Sequence, residues 1–178
     1  MRLVLAGIVA VGFAGCHHHH DGDAPPGATI YVAYGNGHPL AASSSDAFIV
    51  SSESVLADRI NNHRVANGLP ALIDSGSLRD LARAHAIHMA IHGFEGSVNP
   101  EGDAPGDRAD AVGISWSAIA EHIDYGSSDP DDVYYSMINN PGTDSSIHDP
   151  FMVHLGVGYE HDSASWWNDY WTVDFREP

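Results

Sequence analysis

The 178 residues suffice for one domain with attachments, and a hydrophobic content of 43% is that of an ordinary globular core. Charge is less ordinary: 24 acidic side chains face seven arginines, lysine is absent, and the formal net charge is −17. Such a chain repels nucleic acid and anionic membrane surfaces, and without lysine it has neither Schiff-base chemistry nor a Walker-type phosphate loop.

Residues 1–15 read as a secretory signal: Arg2, an apolar run too short to span a bilayer as a mature helix, then small residues. The segment Phe13-Ala14-Gly15-Cys16 resembles a bacterial lipobox, which implies cleavage before Cys16 and lipidation of that residue. The expected location is therefore the bacterial cell envelope outside the cytoplasm, with secretion as the outcome if the lipobox is not used. Cys16 is the only cysteine of the 178 residues, so no disulfide forms within them and the fold must stand on packing.

Residues 16–51 read as a tether. The tract His17, His18, His19 and His20, followed by Asp21-Gly22-Asp23, is a hydrated spacer, with divalent metal binding as the alternative. An Ala/Pro/Gly/Ser-rich stretch follows, in which Thr29 to Tyr34 can form a short strand.

The ordered domain is expected over residues 52–178. Ser52 or Ser54 caps a first helix carrying Val55, Leu56, Ile60 and Val65 and closing at Asn67-Gly68. A second helix starts near Ser77. Its stripe of Leu78, Leu81, Ala82, His85, Ala86 and Met89 is apolar at three- and four-residue steps, and Gly93 stops it. Within the stripe His85 is a core histidine, whereas His88 and His92 read as a solvated face. A further helix falls over Pro130 to Asn139. Pro141-Gly142 ends that helix, and a polar loop leads to a strand alternating Val153, Leu155 and Val157 before Tyr159. Glycines at 156 and 158 weaken a strand, so something must pack very close to their face. The last strand turns Trp171, Val173 and Phe175 inward.

Several of these segments, in this order, resemble the CAP superfamily, also called the SCP/PR-1-like domain, in its bacterial extracytoplasmic form. Ile60-Asn61-Asn62-His63-Arg64 with Asn67-Gly68-Leu69-Pro70 resembles the first helix and its exit, and Ala82-Arg83-Ala84-His85-Ala86 the second. Asn99-Pro100-Glu101-Gly102 ends a loop of the family's outline, and Asp107-Arg108 with Ala111-Val112-Gly113 resembles its short third helix. Ala120-Glu121-His122-Ile123 is similar to the family's Gly-Glu-Asn-Ile strand, and Asn140-Pro141-Gly142 with Leu155-Gly156-Val157-Gly158 to its closing segment. The resemblance spans about Ser52 to Phe175 and implies an α+β fold, a three-layer α-β-α sandwich.

In many members of that superfamily two histidines and two acidic residues line a central cleft and hold a divalent metal. Carried over, Ser97 stands for one histidine, Thr143 for the other, and Glu121 for one acid. The second acid has four nearby candidates, Asp124, Asp129, Asp131 and Asp132. With hydroxyls replacing imidazoles the inherited site is degenerate, and no metal or other cofactor is expected in the cleft. The resulting reading is a non-catalytic binding or interaction module for a small-molecule, lipid or protein ligand, held to the membrane through Cys16. The alternative is a metal-assisted hydrolase in which Glu121 acts as general base with relocated histidines drawn from His92, His122 and His154.

Overall fold

The computed structural model describes the backbone of residues 9–11, 29–33 and 39–178, with side chains from residue 40 onward. Cys16 and the histidine tract at 17–20 lie outside the described residues. Among the described residues, seven strands and five helices follow in the order β1 (Val9–Val11), β2 (Thr29–Ala33), β3 (Pro39–Ser44), α1 (Ala47–Ala66), β4 (Ile73–Asp74), α2 (Gly76–His92), α3 (Pro105–Ala111), β5 (Ala118–Tyr125), α4 (Pro130–Asn139), α5 (Pro141–His148), β6 (His154–His161) and β7 (Asp169–Glu177).

Four strands form the central sheet in the order β4-β6-β7-β5, antiparallel except for the short parallel pairing of β4 with β6. Both faces of this sheet are covered. One face of β6 and β7 turns Leu155, Val157, Tyr159, Trp171, Val173 and Phe175 toward α1, α4 and α5 in the main core. The other turns toward α2 and α3, where Leu78 and Leu81 pack with Ala109 and Met89 packs with Tyr170. The result is an α+β, three-layer α-β-α sandwich.

Gly156 and Gly158 explain how closely the second layer sits. A Cβ at Gly156 would run into the backbone of Leu78 and Arg79, and one at Gly158 into that of Ala82 and Arg83. The α2 backbone thus lies directly on the strand, and only residues without a side chain permit that approach.

Because β4 spans only two residues, the far half of β6 would expose an open edge. There the Tyr159 amide donates to Glu53 Oε1 at 3.0 Å. Arg83 reaches round from α2 and donates its Nε to the same oxygen at 2.9 Å and Nη2 to Glu53 Oε2. Both side chains are buried, at 2% and 3% exposure, so a fully paired ion pair covers the edge and ties α1 to α2.

The structure corrects several sequence expectations. Helix α1 begins at Ala47, capped by Asp46, whose carboxylate accepts from Phe48 N at 2.8 Å, rather than at Ser52 or Ser54. Ser52 is instead buried within the helix, and Val55 and Val65 face outward while Leu56 and Ile60 enter the core. The stretch after Asn139 is not a loop. Asn140 caps a further helix, α5, with Pro141 in its first turn, where a missing N–H costs nothing. Val153 precedes β6 and is exposed, because β6 starts at His154. His88 is buried rather than solvated, and only His92 of that pair is exposed.

Thr29–Ala33 does form a strand, paired with Pro39–Ser44 and with Val9–Val11 in a separate antiparallel sheet. β3 docks on α2. Ala42 is buried against Ala84 and Ile87, and its carbonyl accepts from Arg83 Nη1 at 3.2 Å.

Candidate functional site

A cleft of about 420 Å³ opens at the β5 edge of the sheet, lined by Ser97, Glu121, His122, Ile123, Asn140, Gly142, Thr143, Ser146 and Phe175. Among the described residues β5 has no partner strand on its outer side, and residues from both of its faces reach the same opening. The three positions carried over from the resemblance, Ser97, Glu121 and Thr143, come together here although 46 residues of sequence separate the first from the last.

Glu121 and His122 are neighbours in a strand and therefore point to opposite faces. Glu121 faces the α2–α3 layer, and its side chain is 1% exposed. Its donor there is Arg108 of α3, whose Nη2 bonds Oε2 directly. Arg108 is itself oriented by the Ser97 carbonyl at 2.7 Å and the Asp103 carbonyl at 3.0 Å. His122 and Thr143 do not supply that donor, since they meet on the other side of the strand. They bond each other: His122 Nδ1 and Thr143 Oγ1 are 2.7 Å apart, and His122 Nε2 stands 3.6 Å from Asp124 Oδ2.

None of the four proposed acidic partners reaches Glu121. Asp124 belongs with His122, Asp129 caps α4, Asp131 pairs with Arg59, and Asp132 accepts from Ser127 at 2.9 Å. The acid beside Glu121 is Asp174, its register partner on β7, which is 1% exposed. Burial first, and then the charge of Glu121, push the Asp174 carboxyl well above its ordinary range. Burial also raises Glu121, but Arg108's charge and hydrogen bond oppose it. Both carboxyls are thus pushed upward, Asp174 the more strongly, and Arg108 lies on the Glu121 side of the pair.

His85 completes this buried group, with Nε2 3.7 Å from Glu121 Oε1 and 2.9 Å from the Gly96 carbonyl. Burial and the nearby Arg108 push it down to about 3. It is neutral at any physiological pH, and the Gly96 carbonyl, which only accepts, places its proton on Nε2.

The relocated histidines do not converge on Glu121. His92 is exposed at the end of α2, its ring against His88. His154 is held by Arg176 at 2.9 Å, with β7 between it and His122. His122 faces away from Glu121. Among the described residues, the potential metal-binding group has a different composition, His63, Asp144 and His148.

Sequence reasoning missed Asp174 and the pairing role of Arg108. Asp174 sits in alternation with Trp171, Val173 and Phe175 and so reads as solvent-facing. Only the layer over the second face of the sheet buries it.

The layers, the edge cleft and the glycine contact with α2 define a CAP-type domain. The CAP family, described as the cysteine-rich secretory protein family, matches residues 57–175, and the chain belongs to it. The chain is 27% identical over 123 residues to protein YkwD of Bacillus subtilis (strain 168), a stretch that covers 69% of this chain and 48% of that relative. It thus spans about half of YkwD's length. Its fold is similar to an outer surface protein of Borrelia burgdorferi, with a TM-score of 0.66 and 17% identity over 71% of this chain and 92% of the other. An extracellular protein containing a SCP domain from Bacillus anthracis str. Ames gives a TM-score of 0.66 and 16% identity over 88% and 58% of the two chains.

Proposed function

We propose that this chain is a lipid-anchored, extracytoplasmic CAP-domain protein whose cleft binds a ligand without catalysing a reaction on it. The observation that carries this reading is the state of Glu121. A general base needs a free carboxylate facing substrate, whereas this one is buried and held by Arg108. What the cleft offers instead is hydrogen bonding from Ser97, Asn140, Thr143 and Ser146 over an apolar floor that includes Phe175. Such a surface suits a small, polar, uncharged ligand or the end of a polar chain, and the volume is of small-molecule size.

The extracytoplasmic placement draws support from the signal-like N-terminus and from relatives described as outer-surface or extracellular. Exchange of Cys16 for alanine should release the protein from membranes; equal membrane partition of Cys16→Ala overturns the anchor.

Intact mature protein should show no turnover of ester, amide or phosphodiester probes above background, with or without added zinc. Addition of small polyols and amides should shift the NMR signals of His122 and Thr143. Turnover that Glu121→Gln or Thr143→Val abolishes would overturn the binding-only reading.

A further inference from the structure

A second cluster of polar groups lies on the other side of α5, where that helix meets the end of α1. His63 of α1 and His148 of α5 bring their Nε2 atoms to 3.2 Å of each other. Two donors on a tetrahedral zinc, each with a bond of about 2.0–2.1 Å, are separated by roughly 3.3 Å. Asp144, one turn before His148 on α5 and with its Oδ1 3.2 Å from His148 Nδ1, joins the two histidines in a group that offers one ligand atom from each residue, all within 4.8 Å of one another.

The distal nitrogens are also occupied in the manner of metal-bound imidazoles. His148 Nδ1 is 2.9 Å from the Asp144 carbonyl, which only accepts, so the proton is on Nδ1 and the Nε2 lone pair points at His63. His63 Nδ1 is 2.8 Å from the Tyr134 hydroxyl on α4, which accepts a proton from that nitrogen as readily as it donates one. With Tyr134 accepting, both Nε2 atoms carry free lone pairs, 3.2 Å apart.

The backbone around the pair is held rigidly. Arg64, next to His63 and fully buried, donates Nη1 to the carbonyls of Ile147 at 2.6 Å and Asp149 at 2.9 Å, the two residues flanking His148. It also donates Nε to the Pro70 carbonyl at 3.0 Å. One guanidinium therefore fixes the spacing of the two histidines before any ligand arrives. His148 and Asp144 remain 35% and 41% exposed, which leaves an entry path and room for water.

The geometry points to a zinc-type transition-metal site formed by His63 Nε2, His148 Nε2 and an Asp144 carboxylate oxygen, with water completing the coordination. Two imidazoles with one carboxylate select zinc-type ions over calcium or magnesium, which take oxygen ligands. The site is separate from the cleft: Asp144 and His148 lie on a different side of α5 from Thr143.

The test is zinc calorimetry on the mature chain with His17 to His20 all changed to alanine, so that the tract cannot compete. One zinc per chain should bind with micromolar or tighter affinity, and magnesium and calcium should not displace it. His63→Gln and His148→Gln should each weaken binding by more than tenfold, and Tyr134→Phe by about tenfold. Glu121→Gln should leave zinc affinity unaltered. Should either histidine variant fail to fold, Asp144→Asn and Tyr134→Phe carry the same expectation from exposed or peripheral positions. Absence of stoichiometric binding, affinity unchanged in His63→Gln or Asp144→Asn, or binding that follows Glu121 instead, overturns the assignment.

Discussion

Asp174 and Glu121 are register partners across the β7–β5 ladder, and both carboxyls are buried beneath the α2–α3 layer with Arg108 as the cation between that layer and the sheet. Two acids opposite one guanidinium hold a single charge comfortably. The Asp174 pKa is raised on folding, so the native state binds its proton more tightly than the unfolded chain does. That contribution is fully present below the ordinary aspartate range and is lost as pH rises through the raised native value. Asp174→Asn keeps the shape and removes the titration. Unfolding followed against pH should show a flatter fall in stability from acid to neutral pH, with a gain over wild type of about 1–3 kcal/mol at neutral pH. An unaltered pH profile would show that the proton is held elsewhere.

Arg108 has the opposite expectation. Exchange for methionine leaves Glu121 buried without its counter-charge, and removal of one partner from a buried pair costs about 3–5 kcal/mol. Glu121→Gln in the same chain should recover most of that loss. Denaturant titration of the two single variants and the double variant measures the recovery. If the losses simply add, Arg108 acts through its bonds to the Ser97 and Asp103 carbonyls rather than through the charge.

Gly158 and Gly93 separate two reasons for a glycine. Gly158→Ala drives a methyl into the α2 backbone at Ala82 and Arg83 and should cost about 3 kcal/mol or prevent folding. Gly93 is the left-handed cap of α2, at φ +63 with nothing within 4 Å. Gly93→Ala should lose only about 1 kcal/mol, from backbone strain alone. Equal losses in thermal unfolding would contradict direct contact between α2 and β6.

The extent of the folded unit can be measured by truncation. A chain starting at Ser52 lacks the Asp46 cap, the core residue Ile49 and the docked Ala42. It should be less stable than one starting at Pro39 by at least about 3 kcal/mol, the combined effect of a lost cap and a lost core side chain. Equal stability of the two chains would make residues 39–51 part of the tether.

Local rules carried much of the architecture. The α2 stripe, its glycine stop, the Pro130–Asn139 helix and the Leu155–Tyr159 strand are each legible because a period and a cap lie within a few residues of one another. α5 was not legible, since Asn140-Pro141-Gly142 is equally a helix stop and, read forwards, a capped helix start. Only the packing of Ile147 in the main core decides between them.

For the site, the sequence by itself supplied an ordered set of motifs, and the family resemblance that they carry implies Ser97, Glu121 and Thr143 as cleft positions. It also determined that hydroxyls stand there in place of imidazoles. Tertiary structure alone decided that Arg108 pairs with Glu121, that Asp174 lies beside Glu121, and that His63 meets His148. Each of those pairs joins separate elements, and the strand register and the docking of helices set which side chains meet. Neither is written in the spacing of residues along the chain.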